Sequence, residues 1–219
     1  MFKAIPATYL ANGCAYDMSL TKQFSRELES AALSIKYVVE GEEMYQFNKK
    51  DHKVQTHQFL TINNKRCRAV IDSDVLSKGF CIGLPYHLLD EILHSLSGST
   101  LSKRKFIDYL DSDNFFETVN SAESSTLGTY LKCLSSTLQS SVAGHSQLYI
   151  EQLFLKLAEL TVTSQFDVYE ELSRIDVLRM STQRHINTKL LQARDYLDAH
   201  VAYDIKIEDA AQVAGLSQY

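Results

Sequence analysis

The 219 residues contain no CxxC pair, no apolar run of membrane-spanning length and no excess of positive charge. Each absence removes a class of function. The four cysteines, Cys14, Cys67, Cys81 and Cys133, stand far apart. Scattered thiols flanked by apolar residues behave as small hydrophobes rather than as a metal knuckle or a disulfide framework. A membrane helix needs about 20 successive apolar residues. Neither the interior nor the opening Met1-Phe2-Lys3-Ala4-Ile5-Pro6 supplies such a run or the apolar core of a signal peptide. A formal charge of −5 opposes nonspecific coating of nucleic acid. With 45% hydrophobic residues, the chain has material for a sizeable core. The expectation is a reduced, globular, cytoplasmic protein without a membrane partner.

Catalytic motifs are also missing. No G-x-S-x-G elbow is present. Gly79-Phe80-Cys81-Ile82-Gly83 has an apolar interior and reads as a buried strand rather than a phosphate loop. The carboxylates Glu42-Glu43 read as a solvated turn. His52 and His57, five residues apart, fall on opposite faces of an extended strand. His87 and His94 share a helix face but lie about 10 Å apart along its axis, too far for one zinc ion. His185 and His200 lack Cys or His companions at ligand spacing. The sequence therefore offers no catalytic residues, no metal site and no cofactor site.

What is present changes character near Pro85. Before it, Leu33–Val39, Met44–Phe47, Val54–Ile62, Cys67–Ile71 and Phe80–Leu84 read as short strands separated by polar turns, the pattern of an antiparallel sandwich or barrel. Alternation puts Ile35, Tyr37 and Val39 on one face and Lys36 on the other. After Pro85 the period is helical. Leu88, Leu89, Ile92 and Leu96 mark one helix, and Leu127, Leu131, Leu134 and Leu138 another. The polar stretch 98–125 reads as loops around a short helix at Phe106–Leu110, with Lys103–Lys105 as solvated surface. In Gln147–Leu160 the apolar residues Ile150, Leu153, Phe154, Leu157 and Leu160 cover more than one stripe. Such a helix is either interior to its subunit or buries a second face against another copy.

The last forty residues carry the most specific pattern. Ile186, Leu190, Ala193, Leu197 and Val201 define an amphipathic helix from about Thr182 to His200. A polar break at Ala202-Tyr203-Asp204 precedes a second helix, Ile207–Ala214. The small Ala211 permits close helix crossing, and Gly215 supplies a left-handed turn. Ser217 suits the start of a further helix. The runs Leu190–Leu197 and Ile207–Tyr219, after Arg179-Met180-Ser181-Thr182-Gln183-Arg184, resemble the beginning of the DNA-binding domain of AraC-type bacterial transcription regulators. Val38–Gly41, Tyr45–Phe47, Phe59–Asn63 and Gly79–Leu84 resemble strands of that family's cupin-like sensor barrel. Phe115–Glu117 and Leu127–Leu131 resemble its helical dimerisation region.

The resemblance implies an α+β protein in three parts. Residues 1–85 form a cupin-like antiparallel β-barrel, 86–178 a helical dimerisation region, and 179–219 a linker with an incomplete helix-turn-helix. It implies a homodimer that takes a small-molecule effector and, in a longer chain, DNA. Tyr37, Tyr45, Phe47, His57, Phe59 and Arg68 are the candidate effector-binding residues. Ile150, Leu153, Phe154, Leu157 and Leu160 are the candidate dimer interface, and Ser217, Gln218 and Tyr219 the residues nearest DNA. Charges balance along the last segment, so this stretch is expected to bind DNA weakly by itself. A metal-dependent cupin enzyme and a free-standing ligand-binding protein remain as alternatives.

Overall fold

A computed structural model describes residues 3–29, 32–47, 50–63, 66–96, 100–112, 115–140, 146–174, 180–200 and 206–217. The chain divides into two compact units, Met1–Phe166 and Asp167–Tyr219. The change from strand to helix at residue 85 falls inside the first unit. The architecture is α+β, an antiparallel cupin-like barrel followed by helices.

Eight strands build the barrel: β1 (Lys3–Tyr9), β2 (Ala15–Glu29), β3 (Leu33–Glu40), β4 (Glu42–Phe47), β5 (Lys50–Gln55), β6 (Gln58–Ile62), β7 (Arg66–Leu84) and β8 (Val119–Ser121). Their order is β1-β2-β7-β3-β6-β8, with β4 joined to β7 and β5. The 19-residue β7 organises the sheet. It pairs with β2 along both halves, with β4 through its first half and with β3 through its second. Between Thr21 and Gln23 the β2 register on β7 jumps from Ser77 to Asp72. Such a bulge bends a long strand and lets one hairpin serve two parts of a barrel.

Register assigns each side chain to a face. Tyr16, Ile82 and Ile35 stand abreast on β2, β7 and β3, and in the next outward rung Phe80, Tyr37 and Phe59 stand abreast on β7, β3 and β6. Helices cover this outer face. The Tyr16 and Phe154 rings lie 5.2 Å apart, and Tyr37, Phe80 and Ile82 meet Leu131, Leu134 and Ser135. The inward face carries Ser34, Lys36 and Val38 on β3. It closes at one end on a core that includes Val38, Tyr45, Phe47, Val54 and Leu60.

The helices of this unit are α1 (Tyr86–Ser95), α2 (Thr100–Leu110), α3 (Thr126–Ser140) and the opening of α4 (Gln147–Arg174). Asn63 ties β6 to the end of α2 by donating from Nδ2 to the carbonyls of Leu110 (2.7 Å) and Ser112 (2.8 Å). Lys103, expected on the solvated surface, is buried. Its ammonium caps α1 by donating to the carbonyls of His94 and Leu96, groups that a helix end leaves unsatisfied. Arg104 and Lys105 are exposed, as expected for that cluster.

Several strand boundaries differ from the sequence expectation. Val54–Ile62 is two strands turning at Thr56-His57, where His57 adopts φ +61°. Cys67–Ile71 and Phe80–Leu84 are parts of the single strand β7. Strands β1, β2 and β8 were not expected. The helix expected at Phe106–Leu110 begins earlier, at Thr100.

The second unit contains the end of α4, then α5 (Met180–Ala199) and α6 (Ile207–Val213). Gly215 has φ +59°, the left-handed turn expected of it. Leu216 N–H donates to the Ala211 carbonyl (2.8 Å) and Gly215 N–H to that of Gln212 (3.0 Å), closing α6 with a Schellman motif. Ala210 and Ala214 are the buried small residues of α6, while Ala211 is half-buried.

Candidate functional site

The barrel interior holds a partly open cavity of about 370 Å³. Two inward rungs of the sheet form one wall. Ala15, Gly83 and Ser34 stand abreast on β2, β7 and β3, and Asp17, Cys81 and Lys36 stand abreast one step further in. The first rung is small and leaves space. The second is a row of carboxylate, thiol and ammonium. Leu28, Ile62 and Pro85 contribute apolar lining, and Glu29 stands at the wall, its carboxylate bonded to Arg66 at 2.6 Å.

Lys36 is only 3% exposed. Burial disfavours its charge, but Cys81 and Cys67, once ionised, together with Asp17 more than offset that penalty and raise its pKa. Its ammonium donates to Cys81 Sγ. Burial raises the Cys81 pKa, only partly opposed by Lys36, so Cys81 is a thiol at neutral pH. Asp17 stands opposite Cys81 on β2, and its pKa is raised by burial against the pull of Lys36. Cys81 is half-accessible by surface yet enclosed by protein, because its free surface faces the cavity.

Beyond this row lies a second polar cluster. Glu43 was expected in a solvated turn with Glu42. It is instead a β4 strand residue pointing inward, 4% exposed, because alternation along β4 places Glu43, Tyr45 and Phe47 on the buried face. Ser19 Oγ donates to Glu43 Oε1 (2.9 Å), and the Tyr45 hydroxyl donates to Oε2. Gly79 makes room for this carboxyl, since a Cβ there would overlap it. Burial raises the Glu43 pKa, opposed by the Tyr45 and Ser19 hydroxyls and by Lys36.

The six candidate effector residues do not converge. Tyr45 and Phe47 are inside the barrel, with the Tyr45 ring centre 5.9 Å from Lys36 Nζ. Tyr37 and Phe59 are buried on the outward face, and the Tyr37 hydroxyl lies 3.4 Å from His57 Nδ1 at the β5–β6 turn. Arg68 is exposed and donates to Ser25 Oγ (3.0 and 3.2 Å). Arg68 and Phe47 border a separate open depression with Glu27, Gln46, Asp51 and Arg66. None of the six lines the 370 Å³ cavity. The residues that do line it were legible in one respect: Ser34 and Lys36 alternate with apolar neighbours on β3.

In the candidate dimer set, Ile150, Phe154 and Leu157 are buried within their own subunit. They occupy one stripe of α4, and Phe154 meets Tyr16 of the barrel. Leu153 and Leu160 are half-buried. The exposed apolar residues of this helix are Leu148, Tyr149 and Leu155. Ser217 is exposed, while Arg179, Ala202-Tyr203-Asp204, Gln218 and Tyr219 lie outside the described residues. Among the described residues no cluster of three or more His, Cys, Asp or Glu is arranged to hold a metal ion, and no helix is long and apolar enough to cross a membrane.

The fold is shared with AraC-like regulators. The AraC-like transcriptional activator CuxR aligns with 99% of this chain and 71% of its own length, at TM-score 0.50 and 11% identity. A variant of ToxT from Vibrio cholerae, without ligand, aligns with 96% of this chain and 73% of its own, at TM-score 0.51 and 11% identity. A cupin superfamily protein from Desulfitobacterium hafniense aligns with 39% of this chain and 78% of its own, at TM-score 0.34 and 14% identity. No family model matches the chain, and no curated protein matches it.

Proposed function

We propose that this chain is the sensing and pairing portion of a transcription regulator, and that a small-molecule effector enters the barrel cavity and alters how two copies present their DNA-reading helices. The observation that carries this reading is the partly open barrel cavity with a buried ammonium and a carboxylate in one rung. Burying charges in a barrel costs stability unless something repays it, and recognition of a ligand is the use that fits this geometry. Lys36, Asp17, Cys81 and Ser34 are the proposed contacts, with Tyr45 behind them. No catalytic step is assigned to them, and the protein is read as cytoplasmic.

Pairing is assigned to the exposed stripe of α4 around Leu148, Tyr149 and Leu155, flanked by Leu153 and Leu160. DNA contact is assigned to the segment after the Gly215 turn, with Ser217, Gln218 and Tyr219 nearest the duplex. An effector shifts such a system only by binding two arrangements unequally. The experiment is a thermal-unfolding screen of small polar metabolites on the wild-type chain and on Gly83→Leu. A Cβ at Gly83 meets nothing closer than 3.9 Å, so a side chain can enter the cavity from that position. At a concentration of 100 times its Kd, a true effector adds about 2.7 kcal/mol to wild-type stability, and Gly83→Leu abolishes the gain. A screen in which every stabilising compound acts equally on both proteins would refute the reading.

A further inference from the structure

The cavity's charges define the class of molecule it accepts, on the reading that the cavity is the effector site. Asp17, Cys81 and Lys36 occupy adjacent strands in direct register. Neighbouring strands lie about 4.8 Å apart, so the acid and the base flank one thiol, to which the Lys36 ammonium donates. An anion entering here gains Lys36 but confronts Asp17, with Glu43 close enough to act on the same ammonium. A cation meets the opposite conflict. A net-neutral head carrying a donor and an acceptor side by side satisfies Asp17 and Lys36 together, and gives Lys36 a stronger acceptor than the Cys81 sulfur. Ala15, Gly83 and Ser34 leave the adjoining space open, and Leu28, Ile62 and Pro85 line it with apolar surface.

We propose that the barrel binds a small, net-neutral compound whose head places a hydrogen-bond donor on Asp17 and an acceptor on Lys36, as an α-amino acid or a vicinal diol does, with a short apolar tail over Gly83. The cavity volume of about 370 Å³ limits the ligand to the small end of the usual range for bound metabolites.

Four compounds built on one six-carbon chain separate the head-group classes: norleucine, hexane-1,2-diol, hexanoate and hexylamine. Each is titrated at pH 7 into the isotope-labelled chain and followed by amide chemical shifts, with Gly83→Leu as the blocked control. Norleucine and hexane-1,2-diol are expected to bind at least about tenfold more tightly than hexanoate or hexylamine, since a like charge left facing the ligand costs that much or more. In Asp17→Asn, hexanoate gains at least about tenfold and norleucine loses affinity. The ranking on the wild-type chain decides the matter if Asp17→Asn does not fold. Wild-type binding of hexanoate or hexylamine as tight as that of the neutral pair, and lost in Gly83→Leu, overturns this inference while the effector cavity stands. Absence of any binding sensitive to Gly83→Leu removes the effector reading itself.

Discussion

Lys36 shows how a residue can be placed on the correct face and still be misjudged. Alternation along β3 separates Ile35 and Tyr37 from Lys36, and the apolar set is the natural choice for the inside of a barrel. Yet β3 is buried on both faces. Helices cover the Tyr37 side, which leaves Lys36 to face the interior. Periodicity tells which side chains share a face, and tertiary cover decides which face is inside. Glu43 follows the same logic, and its space comes from Gly79, 36 positions away in sequence and invisible to any local pattern. The charged row has energetic consequences. Lys36→Met leaves Asp17 without the ammonium two strands away and is expected to cost about 1–3 kcal/mol, as loss of a partner from a polar group at a largely buried site does. The double variant Lys36→Met/Asp17→Asn is expected to recover part of that loss in denaturant unfolding, and an additive double loss would mean the two do not interact. Glu43 carries a pH dependence. Its folded pKa is raised, so the folded protein prefers the protonated acid, and ionisation above the ordinary value of 4.5 subtracts stability as pH rises. Glu43→Gln removes that charge. Its melting temperature relative to wild type is expected to climb as pH rises from 4.5 towards neutral, and a constant difference over that rise would contradict the buried-acid assignment.

At the scale of elements, the legible features were those with local chemistry. Pro85 precedes α1, and leucine spacing located α1 and α3. Gly215 ends α6 in the conformation that only glycine adopts cheaply. Gly215→Val is expected to destabilise that turn by about 1–2 kcal/mol, seen as faster amide exchange in α6. Unchanged protection there would show that the left-handed turn is dispensable. Strand β2 was hidden because its second half, from Lys22 to Glu29, is charged and largely exposed, so it lacks the apolar alternation that announces a strand. The β5–β6 turn was hidden because His57, rather than glycine or asparagine, takes the positive φ. Helix α4 was found but cut short, and its buried stripe was open to two readings. Phe154→Ala is expected to cost about 3–5 kcal/mol in unfolding of the first unit. A loss near zero would mean the Tyr16 contact contributes nothing to joining α4 to the barrel.

At the scale of the whole molecule, the sequence conveyed the order of parts, with strands, then helices, then a helix ending at a glycine turn. It did not convey the cavity, because a cavity is made by register among β2, β7 and β3 rather than by any one segment. Pairing of two copies is assigned to residues that the subunit leaves exposed. Leu148→Glu and Leu155→Glu change exposed residues and, on the proposed pairing, are expected to shift the chain from dimer to monomer in sedimentation equilibrium without lowering its melting temperature. A dimer unaffected by both would place the contact elsewhere. The location of the effector site is tested most directly by mapping small-molecule fragments onto the isotope-labelled wild-type chain by amide chemical shifts. Convergence of the shifts on Ala15, Ser34 and Gly83 and on Asp17, Lys36 and Cys81 is expected. Shifts gathered instead at the Phe47–Arg68 depression, with the two rungs silent, would contradict a sensing cavity inside the barrel.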